Sequence, residues 1–167
     1  ACGAKGLMQS GIDVYSSRET AEAKGLSGHR LHIVEPRQQF RVGTWTILPF
    51  DVPHDVENLG FLLANNSGEK LLFTVDCFYI PYRFHGLTHI AVGCNHFKTL
   101  LRENVEAGNI HPDLAKRIRK NHMSLERVQE MLRANDLSKV EEVHLLHLSD
   151  DNSDADFFQE TIEKQTG

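Results

Sequence analysis

The chain has 167 residues, a one-domain length with room for a real core, and its 40% hydrophobic and 25% charged residues match an ordinary water-soluble globular protein. A formal charge of −5 and a pI near 6.0 exclude coating of nucleic acid or anionic membrane by bulk electrostatics, although a local phosphate site stays open. No apolar run approaches the length of a membrane span and no export signal is present, so no membrane partner is expected.

Residues 4–10, stopped by Gly11, predict a short helix, and Ile12, Asp13, Val14 and Tyr15 a short strand. Ser17 to Thr20 opens a second helix that Gly25 ends. From Arg30 the hydrophobic period shortens. Leu31 to Val34, Phe40 to Val42 and Trp45 to Phe50 read as three short strands. Residues 61–64 and 71–75 flank Asn65-Asn66-Ser67-Gly68-Glu69, whose Asn and Gly tolerate the positive φ of a tight reversal, so these two runs form a hairpin. Residues 88–92 give another buried strand.

The second half is more helical, with helices expected over about 96–107, 112–120 and 124–133, Pro112 in a first turn and Ser124 as a cap. A last strand over 143–148 and a last helix over 154–164 complete a single α/β domain spanning 1–167, with no repeat or linker. Positive charge gathers between Lys98 and Arg133, while the chain beyond Asp136 is acidic; these read mostly as solvated helix faces, the minority alternative being that the Lys116 to Lys120 cluster meets a polyanion. Cys2, Cys77 and Cys94 form an odd set without Cys-x-x-Cys spacing, which fits a reducing cytoplasm rather than a disulfide framework.

Ten histidines are more than such a chain needs, and most are ordinary surface or core residues. Three ionisable positions stand apart by context. His54 follows the strand that ends near Phe50, Asp76 ends the run Leu71-Leu72-Phe73-Thr74-Val75, and His147 ends Val143 to Leu146. Neutral imidazole and ionised carboxylate are the ligands that zinc, manganese or iron accept, and ligands placed at strand ends can converge from separate segments.

Val52-Pro53-His54-Asp55, Leu72-Phe73-Thr74-Val75-Asp76, Cys94-Asn95-His96, Asn121-His122-Met123-Ser124 and Leu146-His147-Leu148-Ser149 with Asn152 together resemble the metallo-β-lactamase-fold hydrolases. The likeness is to small bacterial and phage-type members related to ribonuclease Z and DNA-processing nucleases. It implies an αββα sandwich, two zinc or manganese ions, and a phosphodiester or nucleic-acid substrate. Residue by residue, it implies that His54 binds one metal, Asp76 bridges two and acts in catalysis, and His147 binds the other. Asp55 is implied to hydrogen-bond a ligand, and His122, Ser124, Ser149 and Asn152 to line the substrate side.

Two departures go with the resemblance. Gly93-Cys94-Asn95-His96 stands where relatives carry a glutamate. The family's His-x-His-x-Asp-His motif, together with the strands before it, is absent ahead of the helix at 4–10, and Gly28 to His32 does not supply it. Two protein ligands per ion would remain, against the three of a usual catalytic zinc, so a weak or inactive hydrolase is expected. The alternative is a non-catalytic interaction module, completed by a partner chain or by homo-oligomerisation.

Overall fold

The structure, a computed structural model, describes residues 3–167; Cys2 lies outside them. Helix α1 (Ala4–Gln9), strand β1 (Val14–Ser16) and helix α2 (Arg18–Ala23) lead into β2 (Leu31–Ile33), and β1 pairs with β2 in parallel. Ser17 caps α2 by accepting from the Thr20 N–H. The strand expected over 12–15 starts two residues late because Gly11 and Ile12 still bond back to the turn that ends α1.

The main sheet contains β3 (Phe40–Val42), β4 (Trp45–Asp51), β5 (Leu59–Asn65), β6 (Lys70–Thr74), β7 (His89–Gly93) and β8 (Glu142–Leu146), neighbours in that order. Its first four strands are antiparallel, with the expected hairpin joining β5 to β6, whereas β6, β7 and β8 run parallel. Parallel pairing demands crossovers. Helices α3 (Lys98–Glu106), α4 (Pro112–Asn121) and α5 (Leu125–Arg133) fill the one between β7 and β8, and α6 (Ala155–Thr166) follows β8.

Alternation along the strands gives the sheet two faces. Leu62, Leu72, Ile90 and Val92 point to one face, where Val128, Leu132, Phe158 and Ile162 of α5 and α6 close the core. On the opposite face Phe40, Ile47, Phe61, Leu63, Leu71 and Phe73, joined by Tyr15, line a shallow apolar depression, and Phe73 is 37% exposed. Leu101, Ile110 and Ala115 form a smaller core between α3 and α4.

Glycine is sterically required at two places in the sheet. Phe50 lies across Gly60, its cross-strand partner, where a Cβ would meet the ring at 2.4 Å. Gly93 backs onto the Val75 carbonyl, and a Cβ there would stand 1.9 Å from the oxygen. Among the described residues no helix is long and apolar enough to cross a membrane.

Candidate metal centre

Strand direction explains why the singled-out residues meet. Since β4 is antiparallel to β5 and β5 to β6, strands β4, β6, β7 and β8 all point the same way, and the residues after them emerge at one edge of the sheet. His54 comes from the loop after β4, Asp76 from the end of β6, Asn95 and His96 from beyond β7, and His147 directly follows β8.

Each segment is tied to its neighbour. Asn58 Nδ2 donates to the Asp76 carbonyl and the Phe78 N–H to the Pro53 carbonyl at 2.9 Å, which holds the His54 loop against the end of β6. Beyond β7 the chain continues in strand-like pairing: Asn95 N–H donates to the Met123 carbonyl at 2.9 Å and Leu125 N–H to the His96 carbonyl at 2.9 Å. These bonds flank His122, which ends α4, and swing it to the same edge. The Asn95 side chain donates to the His147 carbonyl at 2.9 Å. His147 needs that brace, because its φ of 57° is left-handed backbone that a β-carbon disfavours.

Ligand atoms of His54, Asp76 and His122 lie within 4.8 Å of one another, so this group could hold a metal ion. His147 extends it: His147 Nε2 is 3.0 Å from Asp76 Oδ1, and His122 Nδ1 is 3.4 Å from the same oxygen. Asp76 Oδ1 and His122 Nδ1 are buried atoms without an aligned hydrogen-bond partner. Buried polar atoms are seldom left so, and a shared cation between them satisfies both. Imidazole and carboxylate are donors that first-row divalent ions accept.

Electrostatics agree with that fit. The His122 ring beside Asp76 holds its carboxyl below the usual carboxylate value; partial burial opposes this, and His147 and His54 add to the lowering. Asp76 is thus a carboxylate at neutral pH, the form that ligates. His54 presents Nδ1 to Asp55 Oδ1 at 2.8 Å, while Asp55 Oδ2 is held by Asn121 at 2.9 Å and Arg117 at 3.2 Å. A carboxylate on one ring nitrogen fixes the imidazole and leaves the other nitrogen for an ion.

The remaining expected residues have other contacts. Ser124 is buried and its hydroxyl caps α5 through the Arg127 N–H, although it also lines a cleft beside His122. Ser149 accepts from Asn152 at 3.1 Å, and buried Asn152 accepts in turn from Asn104, so both brace the turn after β8. Asn95 belongs to the Cys94-Asn95-His96 stretch of the resemblance, which assigned it no role. Its role exists only through the contacts it makes across the fold. Cys77 and Cys94 are buried in the core, and burial pushes their thiols up to about 11 and about 12, so both are inert packing groups rather than nucleophiles.

No family model matches the chain, and no curated protein does. Among solved structures it is similar to the metallo-β-lactamase fold protein YhfI from Bacillus subtilis, at 13% identity with a TM-score of 0.63 over 93% of this chain and 61% of that one. The chain has the metallo-β-lactamase fold. A variant of the CmlA β-hydroxylase resembles it at 11% identity with a TM-score of 0.52, over 92% of this chain and 34% of that one. The chain therefore spans about three-fifths of the first of these proteins and a third of the second. In this fold the strand-end edge that carries His54, Asp76, His122 and His147 is its candidate metal centre.

Proposed function

We propose that this chain carries the metal-holding part of a metal-dependent hydrolase of the phosphodiesterase or nuclease type. The observation that carries the reading is the convergence of His54, Asp76, His122 and His147 from four separate segments, with buried ligand atoms left unpaired by the protein itself. His122 changes the ligand count. One ion would be held by His54, Asp76 and His122, the three protein ligands of a usual catalytic zinc, and a second by Asp76 and His147 alone. Tight binding of one ion, with a weak second site and low turnover, is the expected behaviour of the 167-residue chain.

A divalent ion at this centre supplies Lewis acidity and lowers the pKa of a water it binds. The protein's share is positional. Asp55 orients His54, Asn95 pins the backbone of His147, and Asp76, kept ionised, lies between the rings. A cytoplasmic setting fits the unpaired, buried Cys77 and Cys94.

The test is zinc and manganese titration of the purified chain by calorimetry, followed by hydrolysis of bis(p-nitrophenyl) phosphate with each metal. We expect about one tightly held ion per chain and its loss in His54→Ala and Asp76→Ala with folding retained. A well-folded chain that takes up neither metal defeats the hydrolase reading. A second reading, an interaction module, draws on the apolar depression around Phe61, Leu63 and Phe73, since exposed apolar surface of this kind favours association. Concentration-dependent dimerisation together with absent metal binding would favour it.

A further inference from the structure

Strand β8 is an edge of the main sheet: among the described residues it pairs with β7 alone. The Glu142 N–H donates to the Thr88 carbonyl and the Cys94 N–H to the Leu146 carbonyl, so Glu142, His144 and Leu146 turn their backbone groups toward β7. Alternation along the strand leaves the N–H and C=O of Val143 and Leu145 facing outward. Proteins blunt such an edge with a short strand, a lysine or a proline. The opposite edge follows that rule, since β3 has three residues with Arg41 in the middle, but the five residues of β8 include no lysine, arginine or proline.

A groove of about 600 Å³ runs along this open edge, between β8 and α6. Its apolar lining includes Val143, Leu145 and Leu148, which pack against the main core, and Ile162 of α6. Its charged side chains are Glu141, Glu142 and Glu163, all exposed, and no lysine or arginine lines it. His144 Nε2 meets Glu142 Oε2 at 2.8 Å, whereas among the described residues Glu141 and Glu163 have no cation within ion-pair distance. An unpaired strand edge, an apolar lining and unneutralised carboxylates thus share one groove.

We propose that this groove takes up an extended, lysine- or arginine-rich segment of a partner polypeptide as a further strand on β8. The outward N–H and C=O groups of Val143 and Leu145 bond its backbone. Its side chains alternate, apolar ones on the α6 side and cationic ones on the side of Glu142 and His144, with Glu141 and Glu163 adding to the attraction. A second copy of this chain fits less well, because it would bring the same three carboxylates, on a body of net charge −5, against these. The inference goes beyond the hydrolase reading and does not rest on it.

The test is fluorescence anisotropy with a fluorescein-labelled heptapeptide of alternating lysine and valine, alongside sedimentation velocity of the chain alone. Two isomers of the peptide, N-methylated on the lysines or on the valines, separate strand addition from charge attraction. Only one set of N–H groups can face β8, so one isomer should bind like the parent peptide and the other at least about tenfold more weakly. Loss in the valine isomer marks an antiparallel added strand, loss in the lysine isomer a parallel one. Glu142→Lys and Glu163→Lys, both at exposed positions, should each weaken the parent peptide about two- to fivefold. Val143→Pro removes an outward donor that the β7 ladder does not use and should weaken it about two- to tenfold.

Equal affinities for the two methylated isomers overturn the proposal, as does wild-type affinity in both glutamate variants. These arms stand whether or not Val143→Pro folds. A dimer of the chain alone that Val143→Pro disperses also overturns it, since a second copy would then occupy the edge. The readout needs no metal, so a chain that binds the peptide but takes up no zinc keeps the groove and loses the hydrolase reading.

Discussion

Gly93→Ala should damage fold and metal centre together, by an amount the geometry sets. The added Cβ would stand 1.9 Å from the Val75 carbonyl oxygen and 2.9 Å from its carbon. Carbon and oxygen in close contact settle at about 3.3 Å, so the end of β6 must retreat by about 1 Å or more. The Val75 carbonyl is not a flexible side chain that could turn aside: it is backbone, held just beyond the end of the parallel β6–β7 ladder. Overpacking of this kind costs about 1–3 kcal/mol, which lowers Tm by roughly 2–4 °C per kcal/mol in a chain of this size. Asp76 directly follows Val75, and metal-ligand distances tolerate only about 0.2 Å. Zinc affinity should therefore fall about 10- to 100-fold, as it does when a support of a ligand is lost. Urea unfolding and competition with a chromophoric chelator measure the two effects. Gly6→Ala is the control, since a Cβ there meets nothing within 4 Å inside a helix and should be neutral or stabilising by up to ~1 kcal/mol. A Gly93→Ala chain that melts and binds zinc like the parent would refute the reasoning.

Three further outcomes are expected. His122→Ala should reduce zinc affinity more than His147→Ala does, because the first removes one of three clustered ligands and the second a neighbour of Asp76 alone; calorimetry of both variants decides, and equal losses would contradict the ligand count. Asn95→Ala should cost about 1–2 kcal/mol, since it leaves the His147 carbonyl unpaired while the left-handed backbone strain remains, and His147→Gly in the same background should recover part of that stability in chemical denaturation. Burial pushes the His96 imidazole down to about 4, with Glu126 opposing, so the folded chain resists a proton that the unfolded chain accepts near 6.5. Its stabilising contribution is complete above about pH 6.5 and is lost as pH falls toward 4, by up to ~3 kcal/mol, and unfolding of His96→Gln against the parent chain at pH 7.5 and 5 should show a shallower decline in the variant.

Much of this arrangement is written in local pattern. Short apolar runs placed strands over 40–42, 45–50, 61–64 and 71–75, against 40–42, 45–51, 59–65 and 70–74 in the fold, and the caps at Ser17, Pro112 and Ser124 placed their helices within a residue or two. His54, Asp76 and His147 were legible for the same reason: a polar residue closing an apolar run marks the end of a strand, and four strands sharing one direction gather such ends at one edge. His122 entered the metal group by a route no local pattern shows, the pairing of residues 95–96 with 123–125 just beyond it after β7 has ended. Gly93 and Asn95, though part of the quoted stretch 93–96, were given no role there for a related cause. Their importance is a distance to Val75 and a bond to His147, and both exist only once β6, β7 and β8 lie side by side. The cationic cleft beside His122 likewise joins Lys98 of α3, Arg119 of α4 and Arg127 of α5; of the Lys116 to Lys120 run that the sequence drew attention to, Arg119 faces this cleft while Lys116, Arg117 and Lys120 line a separate groove.

The sheet changes character at β6, with a hairpin meander on one side and, on the other, a long loop to β7 and a helical crossover to β8. His54 belongs to the meander, His122 and His147 to the crossover half, and Asp76 to the strand both halves share. An ion held across that seam acts as a staple between a unit of short-range contacts, which forms quickly, and one that must close long loops first. Metal at a hundred times its dissociation constant adds about 2.7 kcal/mol to the folded state. Because the ion's ligands come from both units, that gain is lost if either unit separates from β6.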